Sequence, residues 1–181
     1  MRIITGEYKS RVLEGVNGEE VRPATGRVRG AIFNMLQNRL GLENAHVLDL
    51  YAGSGGLAFE ALSRGAAKAV FVELNPAAVD VINSNAEALG CIDRCDIVHG
   101  DAVDYINHTR ESFDLIFADP PYKNEETVEL PSLIMGNNLL SPEGFLIIEH
   151  PQRLNFASSE LYQIASQKKF GNTVVTFFTT K

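Results

Sequence analysis

Five short apolar runs recur along the chain, and their alternation with helical stretches limits the fold more than any other feature. They are HVLDLYA (46–52), AVFVEL (69–74), CDIVHGD (95–101), FDLIFA (113–118) and GFLIIEH (144–150). Each is too brief for a helix and reads as a buried strand. LAFEALSRG follows the first and stops at Gly65. Asn75-Pro76 opens a second helix, through about Leu89-Gly90, with a cap and a proline at its first position. A short helix to about His108 and a longer one from Glu125 to Met135, interrupted by Pro131, fill the remaining gaps. Strand–helix alternation predicts parallel strands covered on both faces, a doubly wound α/β sheet. The tail LYQIASQKKFGNTVVTFFTTK reads as two further strands around Gly171-Asn172, an antiparallel edge that brings the sheet to seven.

Upstream, residues 2–5 and 10–14 alternate as a short hairpin around Gly6 to Lys9. GRVRGAIFNMLQNRL then reads as a helix over 25–39, with Val28, Ile32, Met35 and Leu36 near one face and Gly41 closing it. No linker, repeat or low-complexity run divides the 181 residues, a length suited to one domain. The expected organisation is an extension over 1–40 on a core over 41–181.

Charge narrows the partners. The net −7 argues against nonspecific polyanion binding, yet residues 1–39 hold seven bases against four acids. Any nucleic-acid contact is therefore expected at this basic head, through Arg2, Lys9, Arg11, Arg22, Arg27 and Arg29. Solvated surface charge, or pairing of Arg27 or Arg29 with acids of the body, explains the same residues. The apolar runs are too short to span a bilayer, and MRIITGEYKSR has no secretory pattern, so a cytoplasmic protein is expected. Cys91 and Cys95 lack the companions that a zinc site needs and read as ordinary thiols.

Chemistry concentrates at strand ends. VLDLYAGSGGLAFEAL sets Asp49, Gly53, Ser54, Gly55 and Gly56 at the first strand–helix junction, where ligands bind in open parallel sheets. Glycines there let backbone approach a ligand. Glu73, twenty residues after Gly53, ends the second strand, suited to ribose hydroxyls. Gly53-x-Gly55-x-x-Ala58 fits a permissive dinucleotide pattern, but Asp49 would face a pyrophosphate. A carboxylate instead suits the ammonium and sulfonium of S-adenosylmethionine, which the loop favours over NAD. Asp101 is a third strand-end carboxylate; it would reach an adenine amine, with Ala102 beside the ring, and would also cap the next helix.

FADPPY decides between them. A base amine has its lone pair delocalised into the ring and is a poor nucleophile. Methyl transfer needs its hydrogens engaged and its plane fixed. Asp119 can accept one N–H and the carbonyl of Pro120 the other, while Pro121 stiffens the arm and Tyr122 stacks on the base. The four form the expected catalytic segment.

DLYAGSGGLAFEALSRGA, VELNP and FADPPY, with RPATGRVRGAIFNML upstream, resemble the RsmD family of bacterial 16S rRNA guanine-N2 methyltransferases. The resemblance runs from MRIITGEYKSRVL to the closing hairpin. It implies a Rossmann-like S-adenosylmethionine-dependent methyltransferase fold that methylates the exocyclic N2 amine of a guanine in the small ribosomal subunit. It implies 16S rRNA or the assembled subunit as partner, no membrane, and a monomer. Around S-adenosylmethionine it implies Asp49, Tyr51, Ala52, Gly53, Ser54, Gly55, Glu73, Leu74, Asp101, Ala102 and Asp119, with no metal. The chain departs from the family pattern at Gly26 and Gly30, where acids are usual. A DNA adenine-N6 or cytosine-N4 methyltransferase uses a similar arm but normally adds a target-recognition domain. A non-catalytic RNA-binding protein would need neither Asp119 nor Tyr122.

Overall fold

The computed structural model describes residues 1–16, 24–37, 39–121 and 125–181. One seven-stranded sheet in the order β3-β2-β1-β4-β5-β7-β6 organises the chain. The strands are β1 (His46–Leu50), β2 (Lys68–Glu73), β3 (Cys95–His99), β4 (Phe113–Ala118), β5 (Leu140–Pro151), β6 (Tyr162–Phe170) and β7 (Thr173–Thr180). The first five run parallel, and β7 pairs antiparallel with both β5 and β6. The order reverses between β1 and β4, so the crevice of the sheet opens at their carboxyl ends.

The pleat sends alternate residues to two cores. Val47, Phe71, Phe117, Ile147 and Phe177 face one side, under α1 (Ala24–Leu36), α2 (Gly56–Ser63) and α3 (Pro76–Leu89). Leu48, Val72, Ile116, Ile148 and Phe178 face the other, under α4 (Ala102–His108) and α5 (Leu130–Gly136). Helix α3 begins as its sequence predicts: Asn75 Oδ1 accepts from Ala77 N–H, Pro76 stands in the first turn, and Gly90 closes the helix at φ 75°.

Three expectations change in detail. The helix over 125–135 is a 3-10 segment (Glu125–Glu129) followed by α5, because Pro131 lacks an N–H and fits only the first turn of a new helix. Strand β5 starts earlier, at Leu140; its register against β4 shifts between Phe113 and Leu115. The N-terminal hairpin is a turn with a single antiparallel bridge, Arg2 to Val12. Ile3, Ser10 and Leu13 N–H bond across the hairpin, while the donors nearer its tip serve another partner. Ile4 and Thr5 N–H donate to Glu60 at 2.7 and 3.1 Å, and Glu7 N–H donates to the Ser63 carbonyl at 2.7 Å. Gly6, at φ 91°, permits this approach, since a Cβ would lie 1.7 Å from that carbonyl oxygen.

Among the described residues no helix is long and apolar enough to cross a membrane. Cys91 and Cys95 are free thiols with their sulfurs 4.0 Å apart.

Candidate active site

The loop between β1 and α2 carries three left-handed residues in alternation: Tyr51 (φ 59°), Gly53 (φ 55°) and Gly55 (φ 79°). For a tyrosine this conformation is strained by about 1–3 kcal/mol, a cost that concentrates at ligand clamps. Gly55 has no alternative, because a Cβ would come within 2.5–2.9 Å of the Phe59 and Phe71 rings. The loop closes on itself through Gly55 N–H to the Ala52 carbonyl (2.8 Å), and Ala52 N–H reaches the Val72 carbonyl of β2 (3.2 Å).

Three carboxylates gather at this edge. Asp49 is paired in register with Phe71 and Phe117, and Glu73 and Asp119 follow two residues beyond those, so the pleat aims all three toward the α1–α3 side. Asp49 is buried; its Oδ2 accepts from Ala58 N–H at 3.1 Å. Burial raises its pKa well above the usual carboxylate range, the Ala58 hydrogen bond opposes that, and the charges of Asp119 and Glu73 push it further up. The pocket therefore strains against its own negative charge, which a cation would relieve.

Glu73 is held in place: one oxygen accepts from Gly53 N–H and the other from Asn75 N–H, both at 2.8 Å. Each oxygen retains a further lone pair for a ligand. Asp101 caps α4, accepting from Val103 and Asp104 N–H on Oδ1 alone, which leaves Oδ2 for another partner. Ala102 beside it is buried. Leu74 is 63 % exposed, an apolar surface beside Glu73 that a ligand ring would cover. Burial, with Asp101 and Glu126 nearby, pushes the Tyr51 phenol up to about 12, so it stays neutral.

Pro120 is buried and Pro121 exposed, with the exposed Asp119 ahead of them at the end of β4. Tyr122 lies outside the described residues, as does Arg22. The remaining head residues divide between surface and interior. Arg2, Lys9, Arg11 and Arg27 are exposed, with Arg2 on the Ser10 carbonyl and Arg11 on the Ala88 carbonyl. Arg29 is 4 % exposed and paired with the fully buried Glu60. Its expected phosphate contact is withdrawn, because its charge is spent inside the fold.

Two residues at this site were absent from the sequence reading. Asn85 of α3 is buried; its Nδ2 donates to the Ser54 and Glu14 carbonyls (each 3.1 Å) and its Oδ1 accepts from Glu14 N–H (2.8 Å). Glu60 anchors the N-terminal turn, Arg29 and Arg64. A polar residue on the apolar face of each helix was the available signal.

Comparison with known proteins agrees with the fold. The family model described as Conserved hypothetical protein 95 matches residues 1–179. YlbH of Bacillus subtilis (strain 168) is 34% identical over 182 residues, covering 98% of both chains. Ribosomal RNA small subunit methyltransferase D of Haemophilus influenzae is 30% identical over 174 residues, covering 94% of this chain and 89% of its own. The solved yhhF structure from Escherichia coli superposes with a TM-score of 0.88 at 28% identity, over 100% of this chain and 98% of that one. The chain belongs to this family, the RsmD methyltransferases, and is an S-adenosylmethionine-dependent enzyme.

Proposed function

We propose that the protein transfers a methyl group from S-adenosylmethionine to the exocyclic N2 amine of a guanine in 16S rRNA. The observation that carries this reading is the buried Asp49, raised in pKa between Asp119 and Glu73 at the switch point of the sheet. Such a site favours a ligand that brings positive charge, and the residues present fit S-adenosylmethionine better than a dinucleotide. The cofactor supplies an electrophilic methyl on a cationic sulfur.

In this reading Asp49 holds the cationic end and Glu73 the ribose hydroxyls. The free oxygen of Asp101 takes the adenine amine, with Ala102, Leu74 and Tyr51 around the ring. Ala52, Gly53, Ser54 and Gly55 supply close backbone. Asp119 accepts one N–H of the target amine and the Pro120 carbonyl the other, drawing the nitrogen lone pair out of the ring. Asp119 also takes up the proton that nitrogen sheds once it is methylated. Pro121 keeps the arm rigid, and Tyr122 stacks on the base, a contact worth about 1–3 kcal/mol. Arg2, Lys9, Arg11, Arg22 and Arg27 meet the RNA backbone. The chain acts as one domain, as a monomer, on naked rRNA or the small subunit; the relatives named for rRNA support that class of acceptor.

The test is methyl transfer from labelled S-adenosylmethionine to unmethylated small subunits, naked 16S rRNA and duplex DNA in parallel, with the nucleoside identified by mass spectrometry. N2-methylguanosine in the ribosomal samples is expected, reduced at least about a hundredfold by Asp119→Ala. Methyladenine or methylcytosine in DNA would replace this reading with the DNA enzyme.

A further inference from the structure

The acidic body hides a second basic end. Residues 40–150 hold five bases against eighteen acids, but residues 151–181 hold four (Arg153, Lys168, Lys169 and Lys181) against Glu160 alone. Lys168 and Lys169 border a cleft of about 470 Å³ between the segment after β5 and strands β6 and β7; Lys169 shares the face of His150, while Lys168 turns to the other face, its Nζ 5.7 Å from the Phe170 ring centroid. Its floor is His150, buried, with Nε2 2.7 Å from the Thr176 hydroxyl and Nδ1 3.0 Å from the Pro151 carbonyl. Since Nδ1 can reach that carbonyl only as a donor, Nε2 accepts from Thr176. Burial lowers the pKa of this imidazole and keeps it neutral. Gln167 Nε2 donates to the same hydroxyl at 3.0 Å. Gln152, Asn155 and Lys169 complete the polar wall, and among the described residues no carboxylate lines it.

Position gives the cleft its meaning. Ala118 is in register with Ile148, so His150 stands level with Pro120, one strand away. The β6–β7 turn lies at the same edge, because Thr173 pairs with Pro151. Strand spacing sets Lys169 about 15 Å from the end of β4, the reach of two to three nucleotides. We infer that this cleft holds a nucleotide of the RNA flanking the target base: Lys169 takes its phosphate, and Asn155, with Gln152, takes a base or sugar edge. The inference rests on the RNA reading above. A chain with net negative charge would otherwise repel RNA on this side, and side-chain amides beside a lysine, with no acid among the described lining residues, match a phosphate joined to a base.

The test is direct binding of a 16S rRNA fragment across a salt series. Lys169→Ala is expected to weaken binding about fivefold at 50 mM salt and to flatten the log–log salt slope by about 0.7, one single-strand phosphate. Asn155→Ala is expected to weaken binding severalfold without changing the slope. Lys181→Ala removes the same charge at the far end of β7, where it bonds the Ser159 carbonyl, and is expected to change neither. An undiminished S-adenosylmethionine-induced melting shift in every variant establishes that the fold is intact. Wild-type affinity and slope in Lys169→Ala, with RNA still methylated, would overturn the cleft alone. A wild-type protein that takes the cofactor but binds no RNA would overturn the RNA reading and the cleft with it.

Discussion

Asn85 donates to the Ser54 carbonyl at 3.1 Å while its remaining amide hydrogen and its oxygen bond the backbone of Glu14. One buried side chain thus ties the glycine loop to the N-terminal segment. Asn85→Ala leaves three backbone groups without their partner, at about 1–3 kcal/mol for each that stays dry. The variant is expected to lose about 2–4 kcal/mol in urea unfolding and to raise the KM for S-adenosylmethionine more than it lowers kcat. A stable variant with unchanged KM would mean that the loop holds its shape unaided.

Glu60 is the second tie. It is fully buried and accepts from Ile4 and Thr5 N–H and from Arg64 Nε, with Arg29 Nε at 3.8 Å. Glu60→Gln keeps the shape but leaves the buried Arg29 uncompensated, a loss of about 3–5 kcal/mol. Urea unfolding measures that loss, and amide exchange of residues 3–8 is expected to speed up before that of the strands. If Arg29→Met added to Glu60→Gln restored most of the loss, the charge pairing itself would be the cause.

The same two residues mark the limit of what the sequence reveals. Strands β1 to β5 were legible because a buried parallel strand is a short apolar run, and α3 because Asn75, Pro76 and Gly90 punctuate it. Glu73 and Asp101 were legible because each stands where such a run ends. The short hairpin was legible but its docking was not: the donors of Ile4, Thr5 and Glu7 serve Glu60 and Ser63, more than fifty residues away, and alternation carries no trace of that. For Arg29 the sequence left a phosphate contact and pairing with an acid of the body both open, because its partner Glu60 is near only once α1 and α2 share a face. The cleft at His150 joins the strand β5 to a hairpin that closes the sheet, so no local motif announces it.

Helix α1 carries Gly30 in its interior, where glycine costs about 0.5–1 kcal/mol relative to alanine. A Cβ there would meet only Ile4 Cδ1, at an ordinary 3.7 Å. Gly30→Ala is expected to raise stability by about 1 kcal/mol, or the melting temperature by about 2–4 °C. A drop instead would show that the N-terminal turn needs the bare backbone of α1 to seat Ile4.

Asp49 makes the apo protein sensitive to pH in a direction opposite to that of a salt-bridged acid. Its folded pKa lies well above the ordinary value of 3.8, so the folded chain holds this proton more tightly than the unfolded chain. Its contribution to stability is full below that ordinary value and is lost as pH rises through the raised one. Asp49→Asn keeps an acceptor for Ala58 N–H and removes the charge that Asp119 and Glu73 repel. The variant is expected to match the wild type near pH 3.5 and to melt about 3–5 °C higher at pH 7.5 in the absence of cofactor. With S-adenosylmethionine the order reverses, because the carboxylate that burdens the empty site is the one that answers a cation. Melting curves of both proteins across this range, with and without the cofactor, measure the crossing. A lower melting temperature for Asp49→Asn at neutral pH without cofactor would mean that Asp49 stabilises the empty site as an ion, and its role as a waiting counter-charge would fall.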